Sequence, residues 1–234
     1  MKLDVVMITT DSRPQLLDQS VFSLTNNSAT RDLTLTIVVD RAINSRIRDE
    51  FEPHYTIFTR KQVGASAARN IGAASIPKYR RGDYVLFLDD DIYCVLGYDK
   101  KLIELLEWNP AKIVSGYSHP YNHCEIRTVP TIDRGDYSFS VPLVISTVAM
   151  AMRWDIWDDV GYFVEPGGAS GSEDFDYCQR ASKKGYGFAV THEQCILHTG
   201  LTSSNGNKIV GYQESVELNQ KLVREYGLKT VVFQ

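Results

Sequence analysis

Apolar residues fall into short continuous runs that alternate with stretches of helical spacing. The runs predict strands at residues 3–8, 33–39, 54–58 and 84–88, and the spacing between them predicts helices that begin near Pro14 and span 44–51 and 65–75. Strands that read as unbroken Val, Leu, Ile and Phe runs are typical of parallel sheets covered on both faces. The strand and helix alternation therefore indicates right-handed βαβ crossovers and an α/β fold.

The pattern changes after a helix predicted near residues 100–108. A strand is expected at 113–117, and the mixed polarity of residues 135–153 favours antiparallel strands. A glycine-rich loop at 161–171 leads to Ser172, which can cap a helix with three acidic residues in its first turn. Beyond it, a polar loop at 199–208 and a helix at 212–226 are predicted.

Length and composition favour one compact domain with a cytoplasmic location. The 234 residues suit a single domain. Its strand and helix alternation predicts a nucleotide-binding half at about residues 1–95, and the changed pattern after it predicts an acceptor-binding half at about 96–234. A formal net charge of -4 gives no overall basic field, so a nucleic-acid partner is not indicated, although it is not excluded. The four cysteines show no paired spacing, and no apolar run reaches the length of a membrane span. Peripheral attachment to a membrane and the oligomeric state stay open.

The strand at 84–88 runs directly into three carboxylates, Asp89, Asp90 and Asp91. Open α/β sheets bind ligands at the carboxyl ends of their strands, so these side chains are expected at a ligand site. Adjacent carboxylates repel one another unless a cation or hydrogen-bond donors neutralise them. Oxygen ligands favour Mg²⁺ or Mn²⁺. A solvated turn or a helix N-cap is the alternative interpretation.

Three segments in this order make the chain resemble the inverting glycosyltransferases of family 2, which have the A-type nucleotide-diphospho-sugar fold. The segments are Gly64-Ala-Ser-Ala-Ala-Arg-Asn-Ile-Gly72, Phe87-Leu-Asp-Asp-Asp91 and Gly171-Ser-Glu-Asp-Phe-Asp-Tyr-Cys-Gln-Arg180. The resemblance extends from the first strand to about His198. It implies a Rossmann-like nucleotide-binding half, a mixed but mostly parallel central sheet, and helices on both faces.

The resemblance also implies a metal site and a nucleotide site. Asp91 would bind Mn²⁺ or Mg²⁺, Asp89 would lie against the ribose or the metal, and His198 occupies the place of a third metal ligand. A structural histidine is the alternative for His198. Asp40 matches the acidic position that recognises the nucleotide base. The other residues implied at the donor site are Thr9, Asp11, Gly64, Arg69, Asn70 and Asp90. Capping, surface or structural roles are the alternatives for Thr9, Asp11, Arg69 and Asn70.

On the acceptor side, the resemblance assigns the catalytic base to Asp174, with Glu173 beside it. A base is needed because a hydroxyl is a poor nucleophile until its proton is being removed. The alternative is that both carboxylates complement a helix dipole. Arg180 matches a family arginine that could hold the acidic loop or the diphosphate, and a simple salt bridge is equally compatible with its position.

The sequence as a whole predicts transfer of one sugar from a nucleotide-diphospho-sugar, with UDP expected, to the hydroxyl of a glycan or other acceptor. Two alternatives stay open, a nucleotidyltransferase and a non-catalytic module that binds nucleotide sugars or glycans. The chain departs from the family at Arg41, where a second acidic residue is common. It also lacks the Gln-x-x-Arg-Trp motif of processive synthases, so processive synthesis is not expected.

Overall fold

The fold is built around one large mixed sheet. The computed structural model describes residues 1–10, 14–40, 55–107, 111–116, 139–140, 144–164, 173–191 and 195–198. In those ranges the strands are β1 (Leu3–Thr9), β2 (Leu33–Val39), β3 (Tyr55–Phe58), β4 (Tyr84–Asp89), β5 (Ile92–Cys94), β6 (Ala111–Ser115), β7 (Phe139–Ser140), β8 (Ala149–Arg153), β9 (Gly187–Thr191) and β10 (Ile196–His198). The helices are α1 (Pro14–Asn26), α2 (Ala65–Ser75), α3 (Tyr98–Glu107), α4 (Trp154–Val160) and α5 (Glu173–Lys183), with a 3₁₀ turn at Lys78–Arg80.

The order of the large sheet is β3-β2-β1-β4-β8-β6-β9-β7, and β5 pairs with β10 in a separate two-stranded sheet. Strands β3, β2, β1 and β4 are mutually parallel, whereas β8 runs antiparallel to both β4 and β6. The register pairs Thr9 with Val39 and Ile8 with Asp89. The carboxyl ends of β1, β2 and β4 therefore meet at one edge, where an open α/β sheet binds its ligands.

Side chains of β1 alternate between two apolar cores. Val5 and Met7 pack with the buried face of α1, whereas Val6 packs with Phe87 and Trp157 on the other side of the sheet. Helix α2 approaches that second side so closely that a Cβ added to Gly72 would lie 2.4 Å from Val6 Cγ1. Helices thus cover both faces of the sheet, which matches the predicted α/β class.

Most of the predicted regular elements appear where the sequence places them. The predicted strand at 113–117 begins and ends two residues earlier, and its pairing with β9 is irregular between Ala111 and Ile113. Strands β5, β9 and β10 and helix α4 were not predicted. The predicted helices at 44–51 and 212–226 and the loop at 199–208 lie outside the described residues. Among the described helices, none has the length and apolar character that a bilayer crossing requires.

Candidate active site

Two acidic residues and a histidine come together beyond the end of β4. Strand β4 delivers Asp89, and the chain turns through Asp90 and Asp91 into β5. Pairing of β5 with β10 places His198 opposite Ile92, and His198 Nε2 lies 2.9 Å from Asp91 Oδ1. Asp89, Asp91 and His198 each offer a ligand atom, and these atoms lie within 4.8 Å of one another.

This group suits a divalent cation. Two carboxylate oxygens and one imidazole nitrogen are ligands that Mn²⁺ accepts, and the oxygens also suit Mg²⁺. Neighbouring ligands of an octahedral ion, each about 2.1 Å from it, are separated by about 3 Å. The 2.9 Å between His198 Nε2 and Asp91 Oδ1 is compatible with that spacing. The His198 side chain is 20% exposed, so an ion could enter from solvent.

Two serines of α1 hold the turn that carries the carboxylates. The Ser20 hydroxyl lies 2.7 Å from the carbonyl oxygens of Asp90 and Ile92, and it accepts the Ile92 N–H at 3.0 Å. Ser23 accepts the N–H of Cys94 at 3.0 Å. Both serines are fully buried. Sequence reasoning missed them, although Ser20 lies on the apolar face of α1, where a buried hydroxyl requires a partner.

Asp90, between Asp89 and Asp91, contacts the end of β1. Its Oδ2 accepts a hydrogen bond from the Thr9 hydroxyl at 2.6 Å, and both residues are buried. The contact ties the end of β1 to the turn after β4. Thr9 and Asp90 were both predicted at the donor site, and in the structure they are hydrogen-bonded to each other. Their contact with a nucleotide stays a prediction.

Asp40 anchors the start of α2. Its carboxylate accepts hydrogen bonds from the Thr59 hydroxyl at 3.1 Å, the Val63 N–H at 2.7 Å and the Gly64 N–H at 2.9 Å. Gly64 has φ +90, a conformation that strongly favours glycine. Asp40 is 5% exposed, so its predicted recognition of a base would use only a small accessible surface.

The buried guanidinium of Arg69 bridges two carboxylates. Nη2 donates to Asp89 Oδ1 at 2.5 Å, and Nη1 donates to Glu173 Oε1 at 3.2 Å. Burial raises the pKa of Asp89, and the positive charge of Arg69 opposes that rise. Thr147 adds a hydroxyl 3.4 Å from Glu173 Oε1. The acidic end of β4 and the first residue of α5 are thus connected through one side chain.

Asn70, the next residue, fixes a loop rather than facing the carboxylates. Its amide nitrogen donates to the Phe163 carbonyl and its amide oxygen accepts the Phe163 N–H, both at 2.9 Å. Arg180 holds the same loop through the carbonyls of Val160 and Tyr162, each at 2.7 Å. It also pairs with Asp176 at 2.7 Å. The salt-bridge alternative for Arg180 therefore describes its contacts.

Asp174 lies in the first turn of α5 and is partly exposed. Its Oδ1 accepts the N–H of Phe175 at 2.8 Å. Burial, and then the negative charge of Glu173, raise the pKa of Asp174 to about 7. A carboxylate with such a pKa can accept a proton near neutral pH and hold it, which an ordinary surface aspartate does not do. Glu173, in contrast, is buried and bound to Arg69.

Of the predicted site residues, one group meets at this edge of the sheet: Thr9, Arg69, Asp89, Asp90, Asp91, Glu173 and His198. Asp40 and Gly64 form a separate contact at the start of α2. Asp11 lies outside the described residues. Trp154 and Trp157, considered as sugar-stacking residues, are 6% and 2% exposed and pack in the core.

Comparison with known proteins gives two kinds of match. The family model described as glycosyl transferase family 2 matches residues 4–170. No curated protein matches the sequence. Among solved structures, the chain is similar to GalNAc-T7 with UDP, GalNAc and Mn²⁺, at a TM-score of 0.73 and 13% identity, over 97% of this chain and 50% of that one.

Two further structures share the fold. TarS 1–349 of S. aureus in complex with UDP-GlcNAc matches at a TM-score of 0.66 and 16% identity, over 96% of this chain and 66% of that one. The mannosyltransferase PcManGT from Pyrobaculum calidifontis, in complex with GDP-Man and Mn²⁺, matches at a TM-score of 0.59 and 15% identity, over 81% of this chain and 56% of that one. The chain spans between half and two thirds of the length of these three proteins.

Proposed function

The chain belongs to glycosyl transferase family 2, and from that premise we propose that it transfers one sugar, with inversion, from a UDP-sugar to an acceptor hydroxyl. The observation that carries the proposal is that Arg69 and Glu173 connect the Asp89, Asp91 and His198 group to the first turn of α5, which carries the partly exposed Asp174. The three similar structures were solved with UDP, UDP-GlcNAc or GDP-Man, which supports a nucleotide-sugar donor. A saccharide is the proposed acceptor class.

The donor side of the site would hold the diphosphate. Asp89, Asp91 and His198 are the proposed ligands of Mn²⁺ or Mg²⁺. Such an ion, when bound, supplies Lewis-acid stabilisation of the charge that grows on the departing diphosphate. Residues 1–95 then form the donor half, with the nucleotide expected across the ends of β1 and β2 near Thr9 and Asp40.

On the acceptor side, Asp174 would take the proton of the attacking hydroxyl. Inversion requires the acceptor oxygen to attack the anomeric carbon from the face opposite the leaving diphosphate, so the base and the diphosphate site must lie on opposite sides of the sugar. Asp174 is carried by α5, whereas the metal-binding group is carried by the turn after β4 and by β10. A pKa of about 7 leaves much of Asp174 deprotonated at neutral pH while keeping it a competent proton acceptor.

A thermal-shift panel would test this proposal. The wild type, Asp91→Ala and Asp174→Asn would be melted with UDP-glucose, UDP-galactose, UDP-GlcNAc, UDP-GalNAc, GDP-mannose and ATP, with and without Mn²⁺. A ligand that binds only the folded state raises its apparent stability. We expect a Mn²⁺-dependent shift with a UDP-sugar that Asp91→Ala abolishes and Asp174→Asn retains.

A turnover assay separates donor binding, which depends on Asp91, from proton removal, which is the proposed role of Asp174. With the selected UDP-sugar and a saccharide acceptor panel, Asp174→Asn should lose transfer by at least about 100-fold, the lower range for general base catalysis. Normal transfer by Asp174→Asn would show that the base lies elsewhere. A shift with ATP and with no nucleotide sugar would instead favour nucleotidyl transfer.

A further inference from the structure

A single buried arginine connects the donor and acceptor sides of the site. Arg69 belongs to α2 and is 2% exposed. It reaches Asp89 at the end of β4 and Glu173 at the start of α5, a residue 104 positions later in the chain. Because three different elements meet at this guanidinium, their relative positions depend on it.

Stability alone does not account for this arrangement. A buried ion pair contributes little net stability, because desolvation offsets the attraction between the charges, and apolar residues often replace such pairs without loss. The Nε–H of Arg69 is also buried with no hydrogen-bond partner in the described part of the chain. An unsatisfied buried donor destabilises the fold. A charged side chain at this position therefore calls for a functional explanation.

The same contacts argue against direct binding of a nucleotide. Both terminal nitrogens of Arg69 are already bound to carboxylates, and the third nitrogen is enclosed. A guanidinium that is 2% exposed offers little surface to a phosphate. Arg69 was expected to contact the nucleotide at the donor site, and these contacts favour an indirect role instead.

We propose that Arg69 is a positioning residue that ties Glu173 to Asp89 and so fixes the first turn of α5, with Asp174, relative to the donor-side carboxylates. Glu173 is then the anchor of the base rather than a second base. This inference rests on the proposed function, because it takes Asp174 as the group that accepts the acceptor proton.

The charges around Asp174 give the proposal a second readout. Glu173, on the same helix, raises the pKa of Asp174, whereas the positive charge of Arg69, on α2, lowers that pKa. Asp89, at the end of β4, is bound to Arg69. Neutralising Glu173 and neutralising Arg69 should therefore move the Asp174 pKa in opposite directions, which a general loosening of the fold would not do.

The kinetic test uses Arg69→Met and Arg69→Lys. Lysine keeps the charge, but its compact ammonium cannot reproduce a fork that spans two carboxylates. Arg81→Met is the matched control, because Arg81 pairs with Asp158 at 2.9 Å and lies over Trp154, beyond the opposite end of β4. Calorimetry would measure binding of UDP with Mn²⁺. Turnover would be measured as the release of UDP from the UDP-sugar selected in the thermal-shift panel, in the presence of the saccharide acceptors.

We expect UDP affinity to fall much less than turnover in both Arg69 variants. Turnover should fall by about 100-fold in Arg69→Met and by about 10-fold in Arg69→Lys, the range by which misplaced catalytic groups slow a reaction. Arg81→Met should match the wild type in both measurements. Loss of UDP affinity with an unchanged turnover number would make Arg69 a nucleotide contact and overturn the proposal, as would wild-type turnover in a folded Arg69→Met.

Arg69→Met could fail to fold, since removing one partner of a buried ion pair leaves uncompensated charge. Arg69→Lys and Glu173→Gln then carry the test. Carbon-detected NMR titration of the Asp174 carboxyl, on protein without metal or nucleotide, requires no activity. We expect its pKa to fall in Glu173→Gln and to rise in any folded Arg69→Met.

The two tests separate the inference from the function. A wild type that neither binds nor turns over any nucleotide sugar would refute the proposed function. The NMR titration would still decide whether Arg69 and Glu173 control the pKa of Asp174. An unchanged Asp174 pKa in Glu173→Gln would by itself refute the proposed link between Glu173 and Asp174.

Discussion

Asp174 shows how the requirement of a proposed catalytic role can oppose folding at the scale of one residue. Its side chain is held where burial and Glu173 both disfavour the charged form, which raises its pKa to about 7 from an ordinary value of 3.8. The unfolded chain has no such environment. The folded protein therefore binds a proton on Asp174 at pH values where the unfolded chain has released it, and this difference makes the free energy of unfolding depend on pH.

The sign of that dependence gives a prediction. For a carboxyl group whose folded pKa is raised, its contribution to stability is present at low pH and is lost as pH rises from about 4 to about 7. Asp174→Asn removes the charge, so it should be more stable than the wild type at pH 8 by about 1–3 kcal/mol, at about 1.4 kcal/mol per pKa unit and allowing for partial exposure. The advantage should shrink at pH 5.

Urea unfolding of the metal-free protein at pH 8 and pH 5 would measure the difference in free energy of unfolding between Asp174→Asn and the wild type. Asp176→Asn is the control on the same helix, because Asp176 is paired with Arg180 and its loss should weaken the fold at pH 8. An Asp174→Asn variant that is less stable than the wild type at pH 8 would contradict the prediction.

At the scale of the elements, close packing of α2 on the sheet sets the position of Arg69. Gly72 faces the second core, where a Cβ would lie 2.4 Å from Val6 Cγ1 and 2.9 Å from Val38 Cγ2. Valine side chains on adjacent strands have few alternative rotamers. The helix can therefore approach the strands only because residue 72 has no side chain, and Arg69 lies about one turn earlier on the same helix.

Gly72→Ala should consequently destabilise the protein. Overpacking a core costs about 1–3 kcal/mol, whereas alanine gains roughly 0.5–1 kcal/mol over glycine within a helix. We expect a net loss of about 1–2 kcal/mol in urea unfolding, by the difference of these terms. Ala74→Ser, at an exposed position of α2, should stay within about 0.5 kcal/mol of the wild type. A Gly72→Ala variant as stable as Ala74→Ser would show that the helix shifts away without cost.

The elements differ in how far the sequence could predict them. Strands β1, β2 and β4 have long apolar runs, and α2 follows from the strand and helix alternation, so local pattern was sufficient. Strands β5 and β10 are three residues each, too short for a period, and they exist because they pair across about a hundred residues of chain. Helix α4 carries Trp154 and Trp157 in a seven-residue segment, which is likewise too short for a reliable pattern.

The site shows the same division. The acidic run at Asp89–Asp91 could be found from residue type and from its place after a strand, whereas the Glu173-Asp174 pair was assigned to the site only through the family resemblance. The link through Arg69 could not, because its partners are Asp89 and a residue 104 positions away. Its place within the donor segment suggested a nucleotide contact, and only the packing of α2 against β4 and α5 shows what the guanidinium touches.

At the scale of the whole molecule, the proposed donor and acceptor halves share both apolar cores. One core joins Val5 and Leu86 with Leu102 and Ala189, and the other joins Phe87 with partners from the second half. Strands β4 and β8 pair directly across the two halves, with Phe87 opposite Met150. Neither half retains a complete core without the other, so we expect residues 1–95 and 96–234 to unfold together.

This shared packing predicts one cooperative transition. Trp154 and Trp157 are two of the three tryptophans, and the Trp157 ring lies 4.9 Å from that of Phe87. Tryptophan fluorescence therefore reports on the junction of the halves, whereas far-ultraviolet circular dichroism averages over all helices and strands. The two signals should change at the same urea concentration, which is the test of a single transition. Phe87→Ala should lower both midpoints equally, with a loss of about 3–5 kcal/mol. If Phe87→Ala instead moved the fluorescence midpoint alone, the two halves would be separate folding units. The contacts of Arg69 would then connect two halves that the apolar cores do not hold together.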